Sequence, residues 1–235
     1  MRKKPVGNVK ATREDWLQAA LELLIADGVE SVRVLTLSHR LKVSRSSFYW
    51  YFKSREDLLA QLLEHWRQTN NHYIVERALR PAATVTQGVL NIFECWVDPT
   101  LFDPQLDFAV RAWARRTKAV RRIIDRADQE RVEAIGAMFA SHGYGADEAF
   151  VRARILYFMQ IGYYSLEISE EMPSRLSLVP GYLRGFTGRD GSAAELAAFY
   201  AFVEQIEAGR GAPPRPPRGT SQKHRLGLPP PPAPA

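Results

Sequence analysis

Residues 31–55 read SVRVLTLSHRLKVSRSSFYWYFKSR, and this stretch decides how the rest of the chain is understood. Two short helices joined by a tight turn fit it. Thr36 can cap a first helix in which Leu37 and Leu41, four apart, share one face. Val43 is an apolar corner residue, and Ser44 is a suitable N-cap for a second helix beginning at Arg45. On that helix Phe48 and Phe52 are spaced to pack inward, which leaves Arg45, Ser46, Ser47, Tyr49 and Trp50 facing elsewhere. Arginine can hold guanine through two hydrogen bonds, and serine hydroxyls reach base edges or phosphates, so this face suits the major groove of DNA. Ser54 is the expected N-cap of the next helix. Lys53 and Arg55 would there converge on a phosphate with free backbone N–H groups and the positive dipole end. An ordinary helical hairpin with solvated polar faces is the competing reading.

The string is more specific than the generic pattern. Val43, Ser44, Phe48, Tyr49, Tyr51, Phe52, Ser54, Arg55, Glu56 and Leu58 fall in register with V-S-x-x-x-[FL]-Y-x-[HY]-F-x-[SN]-[KR]-E-x-[LF]. In this the segment resembles the DNA-binding domain of the TetR family of bacterial transcriptional regulators. Two positions depart from that pattern. Lys42 stands where the turn usually has Gly, so a residue with a Cβ is expected at φ > 0, at a cost of roughly 1 kcal/mol. Tyr51 replaces the commoner His and keeps a hydrogen-bonding tip. The expected DNA contacts are Thr36, Lys42, Arg45, Ser46, Ser47, Tyr49, Trp50, Tyr51, Lys53 and Arg55.

Charge points the same way. Residues 1–55 hold 11 Lys and Arg against 5 Asp and Glu, a net of +6, equal to the formal net charge of the whole chain. Residues 56–209 carry 16 against 21, a net of −5, and residues 210–235 carry 5 against none. Positive charge gathered on one segment is the footprint of a polyanion partner and predicts salt-sensitive affinity. Residues 1–10, with Arg2, Lys3, Lys4 and Lys10, read as a disordered basic arm, either reaching a minor groove or serving only solubility. Residues 209–235 are Pro-rich, lack acidic residues and have few apolar anchors, so a disordered, partly polyproline-II tail is expected.

At 235 residues the chain can bury a sizeable core. It has no run of about 18 apolar residues, and no apolar stretch follows the basic N-terminus, so neither a membrane span nor a signal peptide is expected. A single cysteine, Cys95, cannot close an intrachain disulfide and reads as a small buried hydrophobe, which fits a reducing cytoplasm; the resemblance implies a bacterial one and association with the nucleoid. His39, His65, His72, His142 and His224 match no metal-ligand spacing, and no phosphate loop or nucleophile elbow is present. No cofactor, metal or catalytic residue is therefore expected.

Helical periodicity runs through nearly every long segment. Thr12 and Asp15 open a first helix that closes at Asp27-Gly28. Ser54 opens a long helix to about Arg80, stopped by Pro81. Thr84 and Gln87 open another that ends at Asp98-Pro99, and Asp103-Pro104 restarts the chain. Residues 118–142 continue as helix. Asp147 begins a helix to about Glu171 that is apolar almost all round and so buried on several sides. Pro173, Pro180, Gly185, Gly188 and Gly191 mark an irregular connection before the box Ser192–Glu195 launches the last helix. The sum is an all-α chain of about nine helices. An arm at 1–10 precedes a DNA-binding domain at 11–55, extended by the linking helix 55–80, and a helical body at 81–208 precedes the tail.

The resemblance gives the body a role. In such regulators the C-terminal helices enclose a small-molecule pocket, and the last two long ones pair with a second copy. Helices 147–171 and 193–208 are then the expected homodimer contacts. Two heads about 34 Å apart would read a near-palindromic site on double-stranded DNA. Phe93, Trp96, Phe108, Trp113, Tyr157 and Tyr164 are the expected lining of a pocket for a largely apolar effector, although aromatics at helical spacing also build cores. Arg111, Arg115, Lys118, Arg122 and Arg126 share one side of consecutive helices near Asp125, Asp128 and Glu130 and read as a solvated, ion-paired face. The favoured function is a ligand-responsive repressor. The alternatives are a protein of the same fold controlled by a protein partner, and a helical enzyme.

Overall fold

Local hydrogen bonds set where the first helices begin and stop. The computed structural model describes residues 11–211, with side chains through residue 209, and among them every regular element is helical. The basic arm and nearly all of the Pro-rich segment lie outside the described residues. Helix α1 (Arg13–Asp27) opens on a reciprocal box: Thr12 Oγ1 accepts from the Asp15 N–H at 3.1 Å, and the Asp15 carboxylate accepts from the Thr12 N–H at 2.7 Å. It closes at Gly28, whose φ of 76° suits a residue without a Cβ. A 3₁₀ turn at Val29–Ser31 then delivers the chain to Arg33, the extended N-cap of α2 (Val34–Leu41). Thr36 therefore lies inside the first turn of α2 and does not cap it.

At the end of α2 the chain makes the turn that the sequence made costly. Lys42 adopts φ 56° and ψ 39°. Its N–H donates to the His39 carbonyl and the Val43 N–H to the Ser38 carbonyl, the paired bonds of a Schellman motif. Val43 packs against the cluster that contains Leu37, which closes the motif. Since the left-handed region costs a Cβ-bearing residue about 1 kcal/mol, Lys42→Gly is expected to raise stability by about that amount. Urea unfolding reads it; an unchanged or lower midpoint would mean that the lysine side chain returns the cost.

The second helix of the pair is not α-helical. Residues Arg45–Trp50 form a 3₁₀ segment, tighter at about three residues per turn, and the Ser44 side chain makes no cap bond to it. The long helix that follows is continuous but not uniform: α3 (Arg55–Trp66) passes through a π-helical segment at Arg67–Asn71 into α4 (His72–Leu79). Then come α5 (Val85–Val97), α6 (Pro104–Ala114) and α7 (Lys118–Ser141). Helix α8 (Ala146–Ser165) stops short of residue 171 because Glu167 turns at φ 51°. The expected irregular connection is instead a helix, α9 (Met172–Thr187), with Pro173 in its first turn and Pro180 inside it. Burying Val179, Leu183 and Phe186 offsets the bond that Pro180 cannot donate. The last helix, α10 (Ala193–Gly211), starts at the box between Ser192 and Glu195. Ten α-helices are thus present among the described residues.

Two apolar clusters hold these helices, and the first crosses the expected boundary at residue 81. Trp16, Leu24, Leu37, Phe48, Phe52 and Leu58 from the head join Leu106, Val110 and Trp113 of α6 and Val120 and Ile124 of α7. The second cluster unites α5, α7, α8, α9 and α10 around Phe93, Phe139, Leu156 and Phe199. Cys95 lies in a smaller group with Ile74, Leu101 and Phe102, where burial pushes its thiol up to about 12.

Between the clusters runs a buried polar network that no local pattern announces. The π segment turns both Asn70 and Asn71 inward. Asn70 donates to the Asp103 carbonyl at 2.6 Å, and Asn71 accepts from Arg131 Nε at 3.0 Å. Arg131 is 0% and Asp107 1% exposed, and their side chains meet at 3.3 Å. Asp107 also accepts from Trp66 Nε1 at 2.9 Å and Arg111 Nε at 2.7 Å. Tyr157 donates to Asp128 at 2.6 Å and accepts from Arg131 at 2.7 Å. Burial raises the Tyr157 phenol and outweighs the arginines beside it, so the hydroxyl keeps its proton. Arg111, expected on a solvated face, belongs to this interior. Arg115, Lys118, Arg122 and Arg126 stand outside it, all exposed, as that face requires.

Candidate nucleic-acid interface and effector cleft

The turn after α2 and the 3₁₀ segment form one rigid corner. Phe48 is fully buried; its ring meets Trp16 edge-on at 5.3 Å and stacks on Phe52 at 5.0 Å. With that ring fixed, Tyr49 and Trp50 are left 61% and 66% exposed. Thr36, Lys42, Arg45, Ser46 and Lys53 lie around them with little or no cover. The side chains of Lys42, Arg45 and Lys53 have no ion-pair partner among the described residues, whereas Arg40 nearby is paired with Glu22 at 2.5 Å. Three unpaired cations beside two exposed aromatic rings can meet phosphates and base edges. Leu35, an apolar neighbour 49% exposed, is not among the expected contacts.

Three expected contacts are placed differently. Ser47 is buried, and its hydroxyl donates to the Ser44 carbonyl at 2.7 Å, because the tighter 3₁₀ winding turns it inward. Arg55 is also turned inward: its guanidinium donates to the Val32 carbonyl at 2.6 Å and the Val29 carbonyl at 2.7 Å. These carbonyls belong to the turn between α1 and α2, so Arg55 braces the head and does not reach outward. Tyr51 is half-buried against the head cluster. The N-terminus of α3 is occupied as well. Ser54 accepts from the Asp57 N–H at 3.2 Å, and Asp57 accepts from the Lys53 N–H at 2.8 Å. Its own backbone N–H and the Ser54 hydroxyl hold the Glu56 carboxyl below the usual range, so two carboxylates sit where a phosphate was expected. Lys53 alone remains available there.

The body contains a cleft between α5, α8, α9 and α10 with about 60 Å³ of free room. Phe93 and Trp96 line it, joined by Gln160, Tyr163, Arg175 and Tyr182. The other four expected lining residues lie elsewhere. Trp113 is buried in the head cluster and Tyr157 in the polar network, so neither faces open space. Phe108 and Tyr164 border a separate, more open depression beside Ala26. Periodicity marks inward faces correctly without separating dry core from cleft.

A model of the family described as bacterial regulatory proteins, tetR family, matches residues 17–62, from α1 into α3. The curated protein "Uncharacterized HTH-type transcriptional regulator TtgW" of Pseudomonas putida is 30% identical over 63 residues. That match covers 27% of this chain and 47% of the relative, so the chain spans about half the length of the curated protein it matches. Among solved structures, Mycobacterium smegmatis AmtR aligns over 92% of this chain and 100% of its own, at 20% identity and a TM-score of 0.55. The reduced form of E. coli NemR aligns over 83% and 97%, at 17% identity and 0.51. At such identities the two structures establish the fold alone, and the head sequence carries the rest. The register of Val43 to Leu58, the helical corner it builds and the family match at residues 17–62 agree on a DNA-binding head of the tetR type.

Proposed function

We propose that the chain is a dimeric DNA-binding transcriptional regulator, a repressor that a small molecule releases from a near-palindromic operator. The observation that carries the DNA-binding part is the cluster of Lys42, Arg45, Ser46, Tyr49, Trp50 and Lys53 on a buried aromatic hinge, open to solvent and without ion pairs among the described residues. Pairing of two chains is supported by α8. Phe150, Val151, Ile155 and Phe158 are 52%, 52%, 54% and 42% exposed on it, an apolar strip crossed by the Arg154 guanidinium over the two phenylalanine rings, and a single folded chain rarely leaves so much open. Ala194, Ala197, Ala198 and Ala201 on α10 allow close approach of a second helix. No helix among the described residues is long and apolar enough to cross a membrane, and a place beside DNA in the cytoplasm fits the proposal.

Fluorescence anisotropy with a duplex from the gene's own upstream region tests it. Binding is expected to be at least about tenfold tighter than to a scrambled duplex, with two chains per site, as base readout adds to phosphate contact. Arg45→Ala is expected to lower affinity about 5- to 100-fold, the range of a lost bidentate base contact, with an unchanged melting temperature. Equal binding to both duplexes, or one chain per site, would refute the reading.

A further inference from the structure

The effector cleft holds polar groups that the body does not use. Arg175, on the first turns of α9, is half-buried, and its guanidinium lies 5.5 Å from the centre of the Tyr163 ring. Four other half-buried arginines of the body each have a carboxylate: Arg77 and Arg80 hold Glu94, Arg111 holds Asp107 and Asp128, and Arg152 holds Glu148. Arg175 has none among the described residues. Gln160 of α8 is 6% exposed and lines the same cleft, and its amide nitrogen has no hydrogen-bond partner. The amide lies near the Tyr164 hydroxyl but outside hydrogen-bonding geometry. A buried donor left unpaired costs stability, and in the wall of a cleft an acceptor on a bound molecule would satisfy it. Phe93, Trp96, Tyr182 and Phe199 supply flat apolar walls between these donors.

We propose that the cleft takes an aromatic or apolar monocarboxylate, its acid group on Arg175 and the Gln160 amide and its body against Phe93 and Trp96. This rests on the ligand-controlled reading above and narrows it. The guanidinium fork matches a carboxylate through two parallel hydrogen bonds. The first turns of α9 add the positive end of a helix dipole on the same side. A single negative charge suits the site better than two, because exposed Glu170, which accepts from the Tyr163 hydroxyl at 3.0 Å, already stands at the mouth. The small free volume requires the walls to part when a ligand enters. Met159, Gln160 and Tyr163 all belong to α8, the helix whose outer strip is assigned to the dimer, so a seated ligand bears directly on that element.

Calorimetric titration of the full chain, without DNA, tests the proposal with two matched pairs: benzoate and benzamide, 2-naphthoate and 2-naphthamide. At least one acid is expected to bind about tenfold or more tightly than its amide, the advantage of a charge-assisted pair over a neutral one. Arg175→Gln is expected to bring the acid down to the affinity of the amide while leaving the amide unchanged. Gln160→Leu is expected to weaken both. Equal binding of acid and amide by the unmodified protein overturns the proposal, as does an acid advantage that survives in Arg175→Gln, or no binding of any of the four. Failure of the broader reading looks different: the acid binds with its full advantage but duplex affinity does not change.

Discussion

Asp107→Ala is expected to destabilise the protein by about 3 kcal/mol, because it leaves the buried Arg131 with only Asp128, 3.8 Å away and shared with Arg111, as a counter-charge. Arg131 has no route to water. It is enclosed by the rings of Trp66, Phe102 and Tyr157 at 5.4, 5.9 and 5.8 Å, and Asp107 is its closest anion. Burial alone would raise the Asp107 carboxyl, but the charges of Arg131 and Arg111 outweigh it and hold the group below its ordinary value of 3.8. The sign of the pH dependence follows. A carboxyl depressed in the folded state contributes fully above its unfolded pKa and loses that contribution as pH falls through the lower folded value. The loss of stability that this carboxyl contributes should therefore begin below pH 3.8 in the native chain, and that contribution to the pH dependence should be missing from Asp107→Ala. The double substitution Asp107→Ala with Arg131→Met removes both charges, and an apolar pair is often as stable as the ion pair it replaces. It is expected to recover most of the loss, which denaturant unfolding of the two single variants and the double variant measures. A loss below about 1 kcal/mol in Asp107→Ala, or no recovery in the double variant, would show that the network is not held by this pair.

The helix ends were legible because their causes are local. Thr12 with Asp15, Ser54 with Asp57, Thr84 with Gln87 and Ser192 with Glu195 are all bonds across three residues, so the sequence carries both partners side by side. Gln87 shows the limit of that reading: its side chain returns to the Ala83 N–H, one residue before the cap. The long-range features had no such signature. The π segment follows from partners of Asn70 and Asn71 that lie 33 and 60 residues away. Pro180 and Gly185 are breakers by local propensity, yet α9 persists because tertiary contacts of its buried side chains offset the local penalty. Within the head, exposure of Arg45, Tyr49 and Trp50 followed from the inward spacing of Phe48 and Phe52. Ser47 did not, since a 3₁₀ turn and an α-turn aim the third residue differently.

Arg55→Ala carries the second large effect, and it separates bracing from DNA contact at a position where the sequence favours contact. The guanidinium supplies charged donors to the Val29 and Val32 carbonyls, which lie 26 and 23 residues earlier. A hydrogen bond to a charged group contributes about 1.5–3 kcal/mol, and partial exposure reduces that, so the two together are expected to be worth about 2–3 kcal/mol. Arg55→Lys is expected to recover less than half, because an ammonium cannot present a planar fork to two carbonyls. Where the variant is still folded, its affinity for the operator duplex should lie within about threefold of the parent, since no phosphate contact is lost. Lys53→Ala should behave in the opposite way. That side chain is exposed and unpaired, so its loss is expected to leave melting unchanged, weaken binding to all duplexes alike and reduce the salt slope by about one. Melting curves and anisotropy at several salt concentrations separate the two. If Arg55→Ala melted like the parent and lowered the salt slope, the inward bonds would be dispensable and the residue would be a phosphate contact after all.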